Sequence, residues 1–275
     1  MKCRLILPVL FMLCAVNSDA VAQGLRVSQL VYDEGRLDSA GREPVVASSL
    51  TLFHAGRVYD YVEATGEVVI FEPVQKRFTV LNLERGVYTV ILFNELNRLL
   101  NARGPKTEEY IQELKAQSSS DAERVARMLT FQLNPTFETN FEERIGLLTL
   151  SSESWKYAVS TREWEDIEQL ERYLAYTDWM SRLNYILHPS AMFPEPRLAL
   201  NQELRKLNNR IPVVVHLDLR PDQRLILRAE HQFVRNLTDA DRALVNRWNE
   251  ALKGTGLKEV PFRNYQQTVL ASRSQ

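Results

Sequence analysis

Cysteine is almost absent from this sequence. Two cysteines occur among 275 residues, Cys3 and Cys14, and both fall within the first 22 positions. A chain that begins after residue 22 has no thiol, which excludes disulfide bonds, cysteine nucleophiles and cysteine-ligated metal sites. Core burial alone must hold such a chain together, and about 250 residues bury roughly 70–75% of their unfolded surface.

The first residues have the three parts of a secretory signal peptide. Lys2 and Arg4 precede an apolar run over residues 5–16, and two alanines flank Val21 just before the predicted cleavage site. The apolar run is shorter than the roughly 20 residues that span a bilayer. We therefore predict a cleaved signal peptide over residues 1–22 and export to a bacterial periplasm or the extracellular space.

Neither sign of charge dominates the chain. It carries 34 Lys and Arg against 35 Asp and Glu, a net charge of −1. Signal-peptide cleavage removes two positive charges and one negative charge from this nearly balanced total. No basic run is long enough to bind nucleic acid, and no segment after residue 22 has the length and apolarity of a transmembrane helix. We expect no nucleic-acid partner and no membrane span in the mature chain.

Standard enzyme motifs are also missing. The sequence has no Gly-x-Ser-x-Gly elbow, no phosphate-binding loop and no histidine pair at metal-ligand spacing. Gly254-Thr255-Gly256 follows a predicted helix rather than a strand, so Gly254 is expected to end that helix. We predict no cofactor and no metal site.

The pattern of the N-terminal half predicts a series of short strands that begins at Leu25. Segments rich in β-branched and aromatic residues recur about every ten residues, which predicts tight hairpins and an antiparallel meander. Alternation is poor in EVVIFE, which indicates a strand covered on both faces. The segments are 48–54, 57–62, 67–72, 77–82 and 87–92.

After residue 106, apolar side chains recur at the three- and four-residue spacing of a helix. We predict N-caps at Thr107, Ser120 and Thr238, and a Pro-rich boundary or lid over residues 188–196. The predicted helices are 107–117, 120–132, 163–187 and 239–252, and further strands are predicted over 141–152 and 154–161.

These patterns predict an α+β fold. We expect a curved antiparallel sheet of about eight to ten strands, a meander in its first part, with amphipathic helices packed on one face or at its ends. The chain is expected to divide into an N-terminal meander with two helices (23–135) and a C-terminal α+β half (136–275), or to form one continuous domain.

The segment 211–234 predicts a β-hairpin with its turn near Pro221. A three-residue loop places the apolar side chains on one face, with His216 and Asp218 on the other and His216 opposite Arg228. A His–Asp pair is typical of a hydrolytic base, so these two residues are the catalytic candidates. Because no nucleophile motif accompanies them, we favour an ion-paired, solvated sheet face and predict no catalytic residue.

Two further groups of residues could bind a ligand or belong to the core. His231 falls on the apolar face of the hairpin and is expected to be a satisfied core or edge histidine. Aromatic side chains also recur along the 163–187 helix at helical spacing, which favours core packing over a ligand cage. The candidates for ligand binding are Trp164, Tyr173, Tyr176 and Trp179.

The segment 48–92 resembles Lol-type periplasmic lipoprotein carriers and related envelope proteins of unassigned function. The residues that carry the resemblance are 52–53, GEVVIFEP (66–73), RFTVL (77–81) and 88–91. The resemblance implies a curved antiparallel sheet over helices, with acyl chains held between them.

Three functions remain as hypotheses. The first is an exported, non-catalytic envelope protein that binds an apolar ligand, such as a lipid, or a lipidated client, and it predicts an apolar cavity between the sheet and the 163–187 helix. The second is a structural or interaction module with a filled core and an envelope protein partner. The third is a hydrolase, which predicts a cleft with perturbed titratable groups.

Overall fold

A computed structural model describes residues 24–188, 191–219 and 225–273. The predicted signal peptide and the turn of the 211–234 hairpin lie outside these ranges. Within them, twelve strands form one sheet that does not close on itself, and six α-helices accompany it.

The strands and helices are named in chain order. The strands are β1 (Leu25–Asp33), β2 (Val45–His54), β3 (Arg57–Val62), β4 (Glu67–Glu72), β5 (Arg77–Asn82), β6 (Val87–Leu92), β7 (Glu138–Glu142), β8 (Leu147–Ser151), β9 (Trp155–Glu163), β10 (Arg210–Leu219), β11 (Leu225–Arg235) and β12 (Lys258–Glu259). The helices are α1 (Phe93–Lys115), α2 (Ser120–Leu133), α3 (Ile167–Leu187), α4 (Glu195–Lys206), α5 (Asp239–Lys253) and α6 (Phe262–Arg273).

The strand order joins the two halves of the chain. It runs β12-β6-β5-β4-β3-β2-β1-β11-β10-β9-β8-β7, and every neighbouring pair is antiparallel except β12 and β6. The meander β1–β6 therefore meets the C-terminal strands where β1 pairs with β11, with Leu25 opposite Arg235. The predicted α+β fold with a curved antiparallel sheet is confirmed.

The strand predictions of the meander hold closely. The bounds of β3, β4, β5 and β6 coincide with the predicted segments, while β2 begins three residues earlier than expected, at Val45. The hairpin register is also as predicted, because His216 lies opposite Arg228 and Leu217 opposite Leu227. Alternating polarity fixes this register, since a slip by one residue would turn every side chain to the other face.

The sheet buries apolar side chains on both faces. Its inner face packs against α1, α3, α4 and α6, in the largest hydrophobic cluster. On the opposite face α5 covers part of the meander, where Trp248 stacks on Tyr59 with ring centroids 6.1 Å apart. All six residues of β4 are buried, as the poor alternation of EVVIFE predicts, because helices cover this strand on both faces of the sheet.

One predicted strand is in fact two. The segment 141–152 divides into β7 and β8 at a turn in which Gly146 has a φ of +66°. A Cβ on Gly146 would lie 2.7 Å from the carbonyl oxygen of Thr161, so both the backbone angle and the space require glycine here.

The first helix begins earlier than predicted. The expected N-cap Thr107 lies inside α1, where its Oγ1 donates to the Arg103 carbonyl at 3.0 Å. Buried Phe93 and Leu96 anchor the true first turn directly after β6. Pro105 would be expected to end such a helix, but it lies on the exposed side, where the lost hydrogen bond is tolerated.

The other helix ends show which local signals hold. Helix α3 starts at Ile167 rather than 163 because Asp166 caps it, accepting from the Gln169 N–H at 2.8 Å. Ser120 is the first residue of α2, with Ser119 at the N-cap. Gly254 does end α5, in an extended conformation rather than the left-handed one expected of a C′ glycine.

Two helices, α4 and α6, were not predicted. The prolines that suggested a boundary over 188–196 lie partly in the start of α4, where Pro194 is the N-cap and Pro196 is in the first turn. Proline favours the first turn of a helix because its fixed φ suits that position and no N–H is needed there.

The predicted cap of α5 is a complete capping box. Thr238 accepts from the Asp241 N–H at 3.1 Å, and Asp241 accepts from the Thr238 N–H at 2.9 Å. Asp241 also pairs with Arg26 of β1 at 3.3 Å, which ties the helix to the sheet.

We expect Thr238→Ala to lower the free energy of unfolding by about 1 kcal/mol, because the first turn of α5 loses a side-chain acceptor. The matched control is Ser119→Ala, since the Ser119 side chain makes no cap hydrogen bond in α2. It should cost less than about 0.5 kcal/mol. Urea unfolding at pH 7 measures both, and equal losses would contradict the capping role.

Candidate functional site

Two cavities flank α3 where it lies on the inner face of the sheet. One is an apolar cleft of about 560 Å³ between α3, the start of α1 and the β2–β3 turn. The other is a polar cavity of about 230 Å³ between α3, α4 and strands β1, β2, β3 and β11. The same helix forms a wall of each, since Arg172, Ala175 and Trp179 face the first and Tyr173 and Tyr176 the second.

The wall of the apolar cleft is aromatic. Trp179 stacks on Phe93 with ring centroids 3.8 Å apart, and Phe93 stacks on Phe71 at 5.5 Å. Phe53 and Val58 complete the apolar lining from β2 and β3. Strand alternation puts Phe53, Val58 and Phe71 on the inner face together, and α1 adds Phe93 because it begins directly after β6.

The mouth of the apolar cleft is basic. Arg57, Lys76 and Arg172 line it, and none of its described lining residues is acidic. Arg57 pairs with buried Glu72 at 3.2 Å, and Arg172 lies 3.9 Å from Glu168 on an exposed helix surface. Lys76 is exposed and takes part in none of the ion pairs formed by the described residues. The mouth therefore favours an anionic group.

The polar cavity contains a buried carboxyl group, that of Asp60. Its Oδ1 accepts from Thr51 Oγ1 at 2.7 Å, and Tyr176 forms a second side-chain hydrogen bond to it. Burial raises the pKa of Asp60 above its ordinary value, although these two hydrogen bonds oppose the shift. The pKa of Tyr176 is also raised, first by burial and then by the nearby Asp60 charge.

The opposite end of the polar cavity holds a histidine and an arginine. Burial, followed by the charge of Arg197, lowers the pKa of His231 to about 4, so the ring is neutral at pH 7. Its Nδ1 is buried without a hydrogen-bond partner. The prediction that His231 lies on the inner face is correct, but the expectation of a fully satisfied histidine is wrong for this nitrogen. Arg197 bonds the Tyr173 side chain.

The four aromatic candidates lie at three different places in the structure. Trp179 lines the apolar cleft, and Tyr173 and Tyr176 line the polar cavity. Trp164 lines neither, because it is buried against Phe233 with ring centroids 5.8 Å apart.

The catalytic candidates lie away from both cavities. His216 Nδ1 is 3.1 Å from Glu34 Oε2, while Asp218 lies opposite Lys156 of β9 and not within this contact. Arg228 bonds Glu34 at 2.8 Å and also bonds Glu43 and Glu230. The hairpin face is thus an ion-paired surface, as the favoured interpretation of the sequence holds.

Sequence reasoning missed Asp60 and Arg197. A signal for Asp60 exists in RVYDYV, because alternation places Asp60 on the same face as Val58, which is the buried inner face. Arg197 offered no comparable signal, since it belongs to α4, a helix that the sequence patterns did not predict.

Residues 24–188, 191–219 and 225–273 contain no group of three or more His, Asp or Glu arranged to hold a metal ion. None of the helices described within these ranges is long and apolar enough to cross a membrane.

Comparison with known proteins gives no match: no protein-family model fits the chain, and no curated protein is similar in sequence.

We expect His231 to make stability depend on pH. Its folded-state pKa lies below its unfolded value of 6.5, so its contribution is complete above pH 6.5 and is lost as pH falls toward 4. Between pH 7 and 5 the wild type should lose about 2 kcal/mol more unfolding free energy than His231→Gln.

Urea unfolding across this pH range measures the difference. Leu148→Val is the control, because it weakens the core without removing a titratable group and should keep the wild-type slope. Parallel slopes for the wild type and His231→Gln would contradict a buried, neutral histidine.

Proposed function

We propose that this protein binds, without catalysis, an amphiphile that has an acyl chain and an anionic head group. The observation that carries the proposal is the apolar cleft beside α3, whose aromatic wall leads to a mouth with three cationic side chains and no described acidic one. Its volume of about 560 Å³ lies within the range of small-molecule sites, which is about 300–1,000 Å³.

The two parts of the cleft select two parts of a ligand. Each methylene group moved from water into the aromatic wall contributes about 0.8 kcal/mol. The head group would lie near Lys76 and Arg172, where a carboxylate or phosphate gains charge-assisted hydrogen bonds. An uncharged head group would lose this second contribution.

The wider setting supports a carrier or a client-binding protein. Export to a bacterial periplasm or the extracellular space, which the predicted signal peptide over residues 1–22 indicates, is consistent with this proposal, because an acyl chain in water is stabilised when a protein binds it. A curved antiparallel sheet over helices is also the arrangement that the resemblance to Lol-type carriers implies. A free lipid and the acyl group of a lipidated client offer the cleft the same chemistry.

Two other hypotheses have less support. A structural module with a filled core does not account for an open cleft with an aromatic wall. A hydrolase could use the perturbed Asp60 and His231, but β2 and β1 separate their strands, which corresponds to about 14 Å across the sheet. That distance is too long for the two side chains to share a proton with one substrate atom.

We expect Ala175→Phe to block acyl binding, because the new ring enters the cleft from α3. Titration with palmitate, followed by tryptophan fluorescence and by calorimetry, should show a loss of at least tenfold in affinity. Ala102→Phe on the exposed surface of α1 is the matched control and should bind as the wild type does. Unchanged binding by Ala175→Phe would place the ligand elsewhere or exclude it.

Head-group selection has a separate test. The double variant Lys76→Gln, Arg172→Gln should bind palmitate about tenfold more weakly and hexadecanol with unchanged affinity, since only the first ligand carries a charge. Lys106→Gln, an exposed position on α1 that does not line the cleft, should change neither affinity. Equal losses for both ligands would contradict the role of the basic mouth.

A further inference from the structure

The polar cavity on the other side of α3 contains two opposite charges that do not neutralise each other. Among the described residues, Asp60 accepts hydrogen bonds from Thr51 and Tyr176 but has no cationic partner. Arg197 bonds Tyr173 but has no carboxylate partner within the same part of the chain. A charge in a cavity without a counter-charge destabilises the fold, so a ligand that supplies both counter-charges would bind favourably here.

The two charges lie at opposite ends of the cavity. Asp60 belongs to β3. Arg197 belongs to α4, and its charge lowers the pKa of His231 on β11. The intervening strands β2 and β1 contribute Thr51 and Gln29 to the lining, so the sheet floor between the ends measures about 14 Å from β3 to β11. The charges are too far apart for a direct ion pair, and a volume of about 230 Å³ lies between them.

The Arg197 end is built to accept a carboxylate. The guanidinium of Arg197 offers several N–H donors in a planar fork, which matches the geometry of a carboxylate. His231 adds a nitrogen, Nδ1, that is buried in the cavity lining and has no partner in the protein. The proton of the neutral ring lies on the other nitrogen, which donates to the backbone of Val213, so Nδ1 has a free lone pair and can accept from an N–H group of the ligand, such as the peptide N–H of a dipeptide.

The Asp60 end is built to accept a cationic donor. Thr51 and Tyr176 hold the carboxyl group in place, and both donate to it. An ammonium group would supply the positive charge that Asp60 lacks, and its remaining N–H bonds would find hydroxyl acceptors in the lining, such as Thr177 and Ser181.

We propose that this cavity binds an extended zwitterion, a small molecule with a carboxylate at one end and an ammonium group at the other. The carboxylate lies against Arg197, and the ammonium group lies against Asp60. Molecules of this class include dipeptides and amino acids with an amino group at the end of the side chain. Exposed Asn184 lines the cavity at the C-terminal half of α3, where the ligand enters from solvent.

This site is independent of the acyl cleft. Phe53 and Tyr176 separate the two cavities with an edge-to-face contact whose ring centroids are 5.6 Å apart. A variant that loses binding in one cavity can therefore be checked for correct folding by its binding in the other cavity.

Calorimetric titration with 6-aminohexanoate tests the proposal, with hexanoate and hexylamine as partners of the same length that carry one charge each. We expect saturable binding of 6-aminohexanoate that is at least tenfold tighter than that of either control. Gly-Gly should bind better than glycine, whose two charges are too close to reach both ends. Absence of saturable binding by both extended zwitterions would overturn the proposal, as would equal binding of hexanoate.

Variants assign the two charges. Asp60→Asn should weaken binding of 6-aminohexanoate at least tenfold and bring it level with hexanoate, while Arg197→Gln should bring it level with hexylamine. Asp239→Asn and Arg247→Gln, both exposed on α5, are the matched controls and should not change the affinity.

Palmitate binding reports whether each variant is folded. If Asp60→Asn does not fold, Arg197→Lys against Arg197→Gln decides, because lysine keeps the positive charge and should retain most of the affinity. Equal affinity for 6-aminohexanoate in wild type and Arg197→Gln would overturn the assignment of the carboxylate.

Discussion

The inner face of an open sheet must be covered by something other than the sheet itself. A closed barrel buries its inner side chains against one another, but the twelve strands here remain open, and helices have to remove that face from water. Helix α3 covers much of the inner face, and its own side chains Leu170, Leu174 and Leu183 are buried against the sheet. Every feature of the two cavities depends on how this helix lies against the sheet.

A straight helix does not fill a curved surface. Where α3 contacts the sheet, the packing is dense, and Leu183 is completely buried. To either side the sheet curves away from the helix cylinder, and the space left there is closed by α1 on one flank and by α4 on the other. The two cavities therefore follow from one packing constraint, and the residues that face them decide what each binds. Phenylalanines and Trp179 make one cavity apolar, whereas Asp60, Arg197 and His231 make the other polar.

The sequence predicted the parts of the fold that depend on local patterns. Alternation of period two and regular turns located β3 to β6, and side-chain polarity gave the register of His216 against Arg228. The capping box of α5 was visible in part through Thr238. Predictions were wrong where local signals conflict with tertiary packing. Pro105 and Thr107 suggested a helix boundary, but the burial of Phe93 extends α1 across both.

The candidate site was harder to predict than the fold. Trp179 and Tyr176 belong to one helix, so the helical periodicity of the sequence made them joint candidates for one ligand site. In the structure they line different cavities, because α3 lies between the two cavities. Asp60 could have been identified as an acidic residue at an inward position of a strand. Its partnership with Arg197 could not, because 137 positions of chain separate the two in sequence and the cavity that joins them exists only after the sheet and α4 have assembled.

The most direct test of the central claim is native mass spectrometry of the protein purified from its native source, followed by organic extraction of what it carries. Binding of an anionic amphiphile predicts a complex whose excess mass is an acidic lipid or an acylated client, and predicts that Ala175→Phe is isolated without it. A wild-type protein with the mass of the bare chain would contradict the account.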